Sequence, residues 1–433
     1  MPEAEKLRVK TLGEARFASP LRLGPPLPGY VDDRTRVAYE IECIEGEARP
    51  EQLYFEAGGP REQLFFEPTQ VTAGIVTCGG LCPGINNVVR SLVLELHHKY
   101  GVPRILGFRY GYEGLTRQGV PPVELTPAAV AHIHQQGGSL LGQSRGKQEA
   151  TAMVDRLQDL GVNVLFPVGG DGTLRGAHAI AEEAARRGAP IAVVGVPKTI
   201  DNDVAYVDRC FGFETAVEIA RQAVDAAHVE ALATRNGVGL VKVMGRDAGF
   251  IAAAATLASR EVNFCLVPEI PFRLDGPRGL LAALEQRLEH RSHAVIVVAE
   301  GCGAALLGDA PERDASGNLR YGSADLDIGM HLREAITRHF KARNRPLSLK
   351  YIDPSYMIRS VAANASDSIF CDALARHAVH AALAGKTDMI VGRWHRRFTH
   401  VPLDLVTSSR KRMDPTGETW FAVTEATGQP HLA

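Results

Sequence analysis

Beyond Val71 the chain alternates between short apolar runs and longer amphipathic stretches. Ala73-Gly74-Ile75-Val76-Thr77 reads as a buried strand, residues 87–96 as a helix, and Arg104-Ile105-Leu106-Gly107-Phe108 as the next strand. The same grammar returns at 162–166, 191–194, 238–243, 263–267 and 294–298, with Ala-rich helical stretches between. Uninterrupted apolar strands separated by helices predict mostly parallel sheets wrapped by helices, an α/β architecture of two Rossmann-like lobes. Residues 1–70 lack this periodicity. They are rich in Pro, Glu and Arg, with a proline cluster at Pro25-Pro26-Leu27-Pro28, and are expected to form an extended N-terminal arm. Residues 302–325 are polar and turn-rich and read as a surface excursion.

With 433 residues, 45% hydrophobic and 23% charged, the chain is long enough for more than one packed layer system. Lys+Arg 48 against Asp+Glu 50 leaves no broad field for nucleic acid or an acidic membrane, so an anionic ligand must be held by a local cluster. The seven cysteines are scattered and never spaced Cys-x-x-Cys, which argues against a disulfide framework or a zinc site. Neither a signal peptide nor a membrane span is expected, and the chain reads as cytoplasmic.

Each apolar run is followed by a polar, glycine-bearing turn, the place where open α/β sheets put ligands. Gly79-Gly80-Leu81-Cys82-Pro83-Gly84 lets backbone N–H groups approach a phosphate, although such strand-to-helix turns are often only tight turns. Arg145 and Lys147, among small residues at 137–147, suit an oxyanion-rich ligand or a solvated basic loop. Gly169-Gly170-Asp171-Gly172-Thr173 is sharper. A lone acid between glycines suits Mg²⁺, which takes one or two carboxylates plus substrate phosphates. In Lys198-Thr199-Ile200-Asp201-Asn202-Asp203 the two acids stand two apart and can project to one side of an extended segment, one as base and one orienting. Met244-Gly245-Arg246, Glu300-Gly301 and Tyr356 with Arg359 supply guanidinium, carboxylate and phenol for a phosphorylated sugar, or separate surface ion pairs. Gly385-Lys386-Thr387 looks like the end of a P-loop but has His380 where that loop needs glycine.

Taken in order from about Val71 to Gly392, these five motifs resemble the 6-phosphofructokinase family, in the longer ATP-dependent branch known from plants and trypanosomatids. The resemblance implies transfer of the terminal phosphate of ATP to the 1-hydroxyl of fructose 6-phosphate. It implies Asp201 as the base, with Thr199, Asp203 and Lys198 beside it, and Asp171 on Mg²⁺. Gly79, Arg145, Gly170, Gly172 and Thr173 would line the nucleotide, and Met244, Gly245, Arg246, Glu300, Tyr356 and Arg359 the sugar phosphate. Lys350 matches a cation that reaches a neighbouring subunit's sugar phosphate, implying a homodimer or homotetramer with shared sites. Gly172 goes with ATP in this family, whereas Lys198 is the residue of pyrophosphate-dependent members, so pyrophosphate stays as the alternative donor. An NAD or lipid kinase shares Gly-Gly-Asp-Gly-Thr, and a silent regulatory subunit is the third alternative. Gly237 replaces an arginine that compact bacterial members lend across an interface, and Leu94 replaces a neighbour of the effector arginine at Arg90, so bacterial-type ADP and phosphoenolpyruvate control is not expected. The expected organisation is an arm at 1–70, a nucleotide lobe at 71–212 completed by 361–411, a sugar-phosphate lobe at 213–360 and a tail at 412–433.

Overall fold

The computed structural model describes residues 3–24, 29–43, 45, 52–302, 312–313, 319–320 and 327–432. The proline cluster at 25–28 and most of the excursion at 302–325 lie outside the described residues. The chain divides into two compact units: Met1–Thr199, Val204–Gly212 and Val361–Arg410 form the first, and Ile200–Asp203, Phe213–Ser360 and Lys411–Ala433 the second.

Among the described residues the main sheet of the first unit has nine strands. Their order is Arg36–Ala38, Tyr54–Ala57, Arg397–Pro402, Met389–Trp394, Ala192–Pro197, Val164–Gly169, Thr72–Thr77, Arg104–Phe108 and Val123–Glu124. The five from Met389–Trp394 to Arg104–Phe108 are parallel. Strands at both edges are antiparallel. Successive side chains point to opposite faces. Val76, Leu106, Phe108, Leu165, Val193 and Ile390 therefore join Leu174, Ala177 and Ile180 of helix Asp171–Arg186 in one buried cluster. Their neighbours Ile75, Phe166, Val194 and Met389 are equally buried on the other face, which helix Ala365–Leu383 covers together with Ile85–Leu94. Burial on both faces is why these strands read as unbroken apolar runs.

The arm expected at 1–70 is built into this unit. Tyr54–Ala57 pairs with Arg397–Pro402, Arg36–Ala38 pairs with Tyr54–Ala57, and Lys10–Thr11 pairs with Lys386–Thr387. The strands are two to four residues long, too short for a periodic signal, yet Phe55 is fully buried and the segments cover what would be an open sheet edge. Lys386 of the P-loop look-alike is structural: its Nζ lies 3.0 Å from Glu56 Oε1 and 3.2 Å from Asp33 Oδ1.

In the second unit four parallel strands run in the order Phe264–Leu266, His293–Ala299, Gly237–Val243, Ser348–Ile352. Helices Leu280–Arg291 and Ile328–Ala342 bury Leu284, Leu288, Leu332 and Ile336 against Val238, Leu240, Ile296 and Val298. Helix Phe213–Leu232 covers the opposite face, where a side chain on Gly239 would meet the Ala227 carbonyl oxygen at 2.8 Å. The expected separate tail at 412–433 completes this unit. Helix Glu418–Thr427 packs on Phe250–Ser259 and buries Trp420 and Val423. Gln429 Oε1 then accepts the Cys265 N–H at 2.7 Å, and the Leu432 carbonyl accepts the Arg273 N–H at 2.6 Å.

Candidate active site

In the first unit the three adjacent strands Thr72–Thr77, Val164–Gly169 and Ala192–Pro197 deliver their carboxyl ends side by side. The turn after Thr72–Thr77 carries Gly79, whose φ of +87° is the left-handed region that favours glycine. Its N–H donates to the Ser144 carbonyl at 3.2 Å, tying it to the loop that holds Arg145. With its amide turned to donate, Gln143 reaches the carbonyls of Gly79 at 2.5 Å and Gly80 at 2.7 Å. Lys198, buried directly beyond Ala192–Pro197, donates from Nζ to the same Gly80 carbonyl at 2.6 Å. One turn is thus held from two sides, with an ammonium beneath it and the exposed Arg145 nearby in the chain.

The turn after Val164–Gly169 opens helix Asp171–Arg186, with Gly170 as its cap, Asp171 first and the exposed Gly172 second. The aligned N–H groups of the first turn favour an anion there. Thr173 is buried, and Tyr112 donates its hydroxyl to the Thr173 carbonyl at 2.5 Å, fixing the turn. Asp171 Oδ2 is ion-paired with Arg175 and, at 3.0 Å, with Arg410 Nη2. Among the described residues no group of three or more His, Cys, Asp and Glu could cage an ion. Asp171 is thus a lone carboxylate whose charge is met by two arginines.

In the second unit Asp201 and Asp203 flank Asn202, which has φ +57°. The segment expected to be extended is bent at that residue, a conformation asparagine tolerates. Asp201 accepts the backbone N–H of Arg246 and keeps some accessible surface, but protein atoms crowd its carboxyl. Burial pushes its pKa well above the ordinary carboxylate range, Asp203 and Glu300 add like charge, and Arg246 pulls the other way. Arg246 Nε lies 3.8 Å from Glu300 Oε1. Burial likewise raises the Glu300 pKa, against the opposing charges of Arg246 and Lys242.

The Arg246 and Glu300 turns interlock because their strands are neighbours, with Val243 opposite Ala299. Gly301 N–H donates to the Gly245 carbonyl at 3.0 Å, and a Cβ on Gly301 would sit 1.7 Å from the Arg246 carbonyl oxygen. Only glycine fits there. Asp201, Asp203, Arg246 and Glu300 thus form one cluster, with Met244 and Gly245 in the same turn. Tyr356 and Arg359 stand on helix Ser355–Ser360, the guanidinium 4.7 Å from the exposed tyrosine ring's centre. Lys350 is apart from that cluster, exposed in mid-strand on the edge strand Ser348–Ile352, opposite Gly239. Thr199 is half-buried and ends the first unit's segment.

Sequence reasoning missed Arg410 as a partner of Asp171, since nothing local links residues so far apart. Lys242 was also missed, and it left a signal: a lone lysine inside the apolar run Val238-Gly239-Leu240-Val241-Lys242-Val243.

The family model described as Phosphofructokinase matches residues 72–382. The chain belongs to the phosphofructokinase family. It is 46% identical to a protein of Borreliella burgdorferi described as an ATP-dependent 6-phosphofructokinase, over 98% of this chain and 96% of the relative. A protein of the same description from Trypanosoma brucei brucei is 44% identical over 98% of this chain and 87% of its own. A solved pyrophosphate-dependent phosphofructokinase from Marinobacter aquaeolei matches in fold, with a TM-score of 0.67, 23% identity, and coverage of 84% of this chain and 92% of that one. Phosphofructokinases are phosphotransferases. Among the described residues no helix is long and apolar enough to cross a membrane.

Proposed function

We propose that the protein phosphorylates fructose 6-phosphate at its 1-hydroxyl with ATP, giving fructose 1,6-bisphosphate and ADP, a reading supported by its likeness to proteins described as ATP-dependent 6-phosphofructokinases. The single observation that carries the chemistry is the desolvated Asp201, held by the Arg246 N–H beside Glu300. A carboxylate with a raised pKa is a better proton acceptor near neutral pH than an ordinary one. Asp201 takes the proton of the 1-hydroxyl as that oxygen attacks the terminal phosphorus, and the bond to the ADP oxygen breaks. Asp203 and Thr199 flank the base. Arg246, Glu300, Met244, Gly245, Tyr356 and Arg359 hold the sugar phosphate, which assigns the second unit to the acceptor. The first unit takes the nucleotide: Gly79, Gly170, Gly172 and Thr173 present backbone and hydroxyl donors, and Arg145 and Lys198 supply cationic charge for the phosphates. Mg²⁺, when bound at Asp171, would neutralise phosphate charge. Catalysis on this reading is positioning plus fixed electrostatics.

Lys350 lies apart from the acceptor cluster on an exposed edge, which suits a residue lent to a partner's site in a homodimer or homotetramer. Six of the seven cysteines are buried, and a cytoplasmic location belongs to the same reading.

The test is initial rates with fructose 6-phosphate and Mg²⁺, with ATP and pyrophosphate compared in parallel. ATP-only activity supports the reading. Turnover with pyrophosphate alone would give the donor choice to Lys198 over Gly172, and turnover with neither would sink the assignment. Gly172→Asp should abolish use of ATP by bringing a carboxylate against its phosphates.

A further inference from the structure

Lys242 sits where the surrounding pattern calls for an apolar residue. It follows Val238 and Leu240 on the core-facing side of strand Gly237–Val243 and is opposite Val298 of the neighbouring strand. It is 8% exposed. Burying an ammonium costs several kcal/mol unless its partners are well placed, and a leucine of similar volume would satisfy the core alone. The partners are two carboxylates. Asp353 Oδ2 lies 2.9 Å from Lys242 Nζ, and Asp327 Oδ2 also ion-pairs with it.

The two acids do different jobs. Asp327 caps helix Ile328–Ala342 by accepting the Met330 N–H at 3.0 Å and takes the Tyr351 hydroxyl at 3.2 Å. Asp353 accepts the Ser355 N–H at 3.0 Å and the Ser355 hydroxyl, which fixes the entry to helix Ser355–Ser360, the element carrying Tyr356 and Arg359. Val241 is opposite Ile352, so Lys242 and Asp353 are cross-strand neighbours at the carboxyl ends of their strands. Glu300 follows two residues beyond Val298 on the same face, and the charge of Lys242 acts on it. One buried ammonium therefore links the turn of Glu300 to the helix of Arg359.

We infer that Lys242, through Asp353, is a positioning residue that sets affinity for the sugar-phosphate acceptor and leaves nucleotide affinity alone. The inference rests on the reading of Glu300, Tyr356 and Arg359 as acceptor residues. Asp327, bonded to a different helix, is the internal control.

The experiment uses the full-length protein and its Lys242→Met, Lys242→Arg, Asp353→Asn and Asp327→Asn variants, with initial rates over fructose 6-phosphate at saturating ATP and the converse. Loss of the link lets helix Ser355–Ser360 shift, so Lys242→Met and Asp353→Asn should raise KM for fructose 6-phosphate about tenfold or more and leave KM for ATP within about twofold. Lys242→Arg should recover part of the loss, and Asp327→Asn should change KM for fructose 6-phosphate by less than about threefold. If Lys242→Met does not fold, Asp353→Asn decides, because it keeps the Lys242 to Asp327 pair. An unchanged KM for fructose 6-phosphate in Asp353→Asn, or equal rises for both substrates, overturns the inference while the wild type still turns over. An inactive wild type sinks the functional reading and this inference with it.

Discussion

Replacing Asp201 by asparagine should separate activity from stability in opposite directions. The variant keeps the shape and an oxygen for the Arg246 N–H but removes the proton acceptor. Loss of a positioned general base costs about 10²- to 10⁴-fold in kcat, or about 3–5.5 kcal/mol of barrier. Stability should move the other way. The Asp201 carboxyl is disfavoured as an anion by burial, then by Asp203 and Glu300, with Arg246 as the opposing charge. A carboxyl whose folded pKa lies above its unfolded value weakens the fold once pH exceeds the unfolded value near ~4. At pH 7 the asparagine variant should therefore be more stable, with Arg246 limiting the gain because it already offsets part of the repulsion. Steady-state rates and urea denaturation at pH 7 and pH 4 measure both. The stability gain should shrink at the lower pH, where the wild-type carboxyl is protonated. A fall in kcat below tenfold would remove Asp201 from the role of base, and a destabilised variant at pH 7 would refute the account of its surroundings.

Gly301→Ala should unfold the protein at about 3 kcal/mol lower stability and cut kcat/KM about a hundredfold, since its methyl would lie 1.7 Å from the Arg246 oxygen; wild-type kinetics in a folded variant would contradict the interlocked turns. Glu95, buried 4.0 Å from His380 Nδ1, has its pKa raised to about 6 by burial. It costs stability as pH rises from its unfolded value through that range, so Glu95→Gln should gain about 2 kcal/mol at pH 7 and nothing near pH 4 in urea titrations. Burial alone would raise the Glu56 pKa, but hydrogen bonds and charge from His400 and Lys386 bring it to about 2, with Arg61 Nη2 also 3.2 Å away. That stability is present above the unfolded carboxyl value and lost as pH falls from ~4.5 towards 2, and Glu56→Gln should cost about 3 kcal/mol at pH 7, with denaturation midpoints as the check.

The turns were legible because each follows a strand buried on both faces, which leaves an apolar run that ends in glycine and polar residues. Phe166-Pro167-Val168-Gly169-Gly170-Asp171 announces the end of a strand and the turn after it, and the structure starts that strand at Val164 rather than residue 162 and carries it to Gly169. The N-terminal segments could not be read that way. Their strands are two to four residues long; two pair with Lys386–Thr387 and Arg397–Pro402 near the other end of the chain, and Arg36–Ala38 is added beyond Tyr54–Ala57.

By itself the sequence determined the α/β class, the family and the roster of acids and cations in the turns, because periodicity and motif order are local properties. Only the tertiary structure decided their company. It bent the chain at Asn202, set Asp201 against Arg246 and Glu300, engaged Asp171 with Arg410, and bound Lys242 to Asp353 and Asp327. Charges reach one another through space, at distances no spacing along the chain encodes, and desolvation depends on every element packed around them.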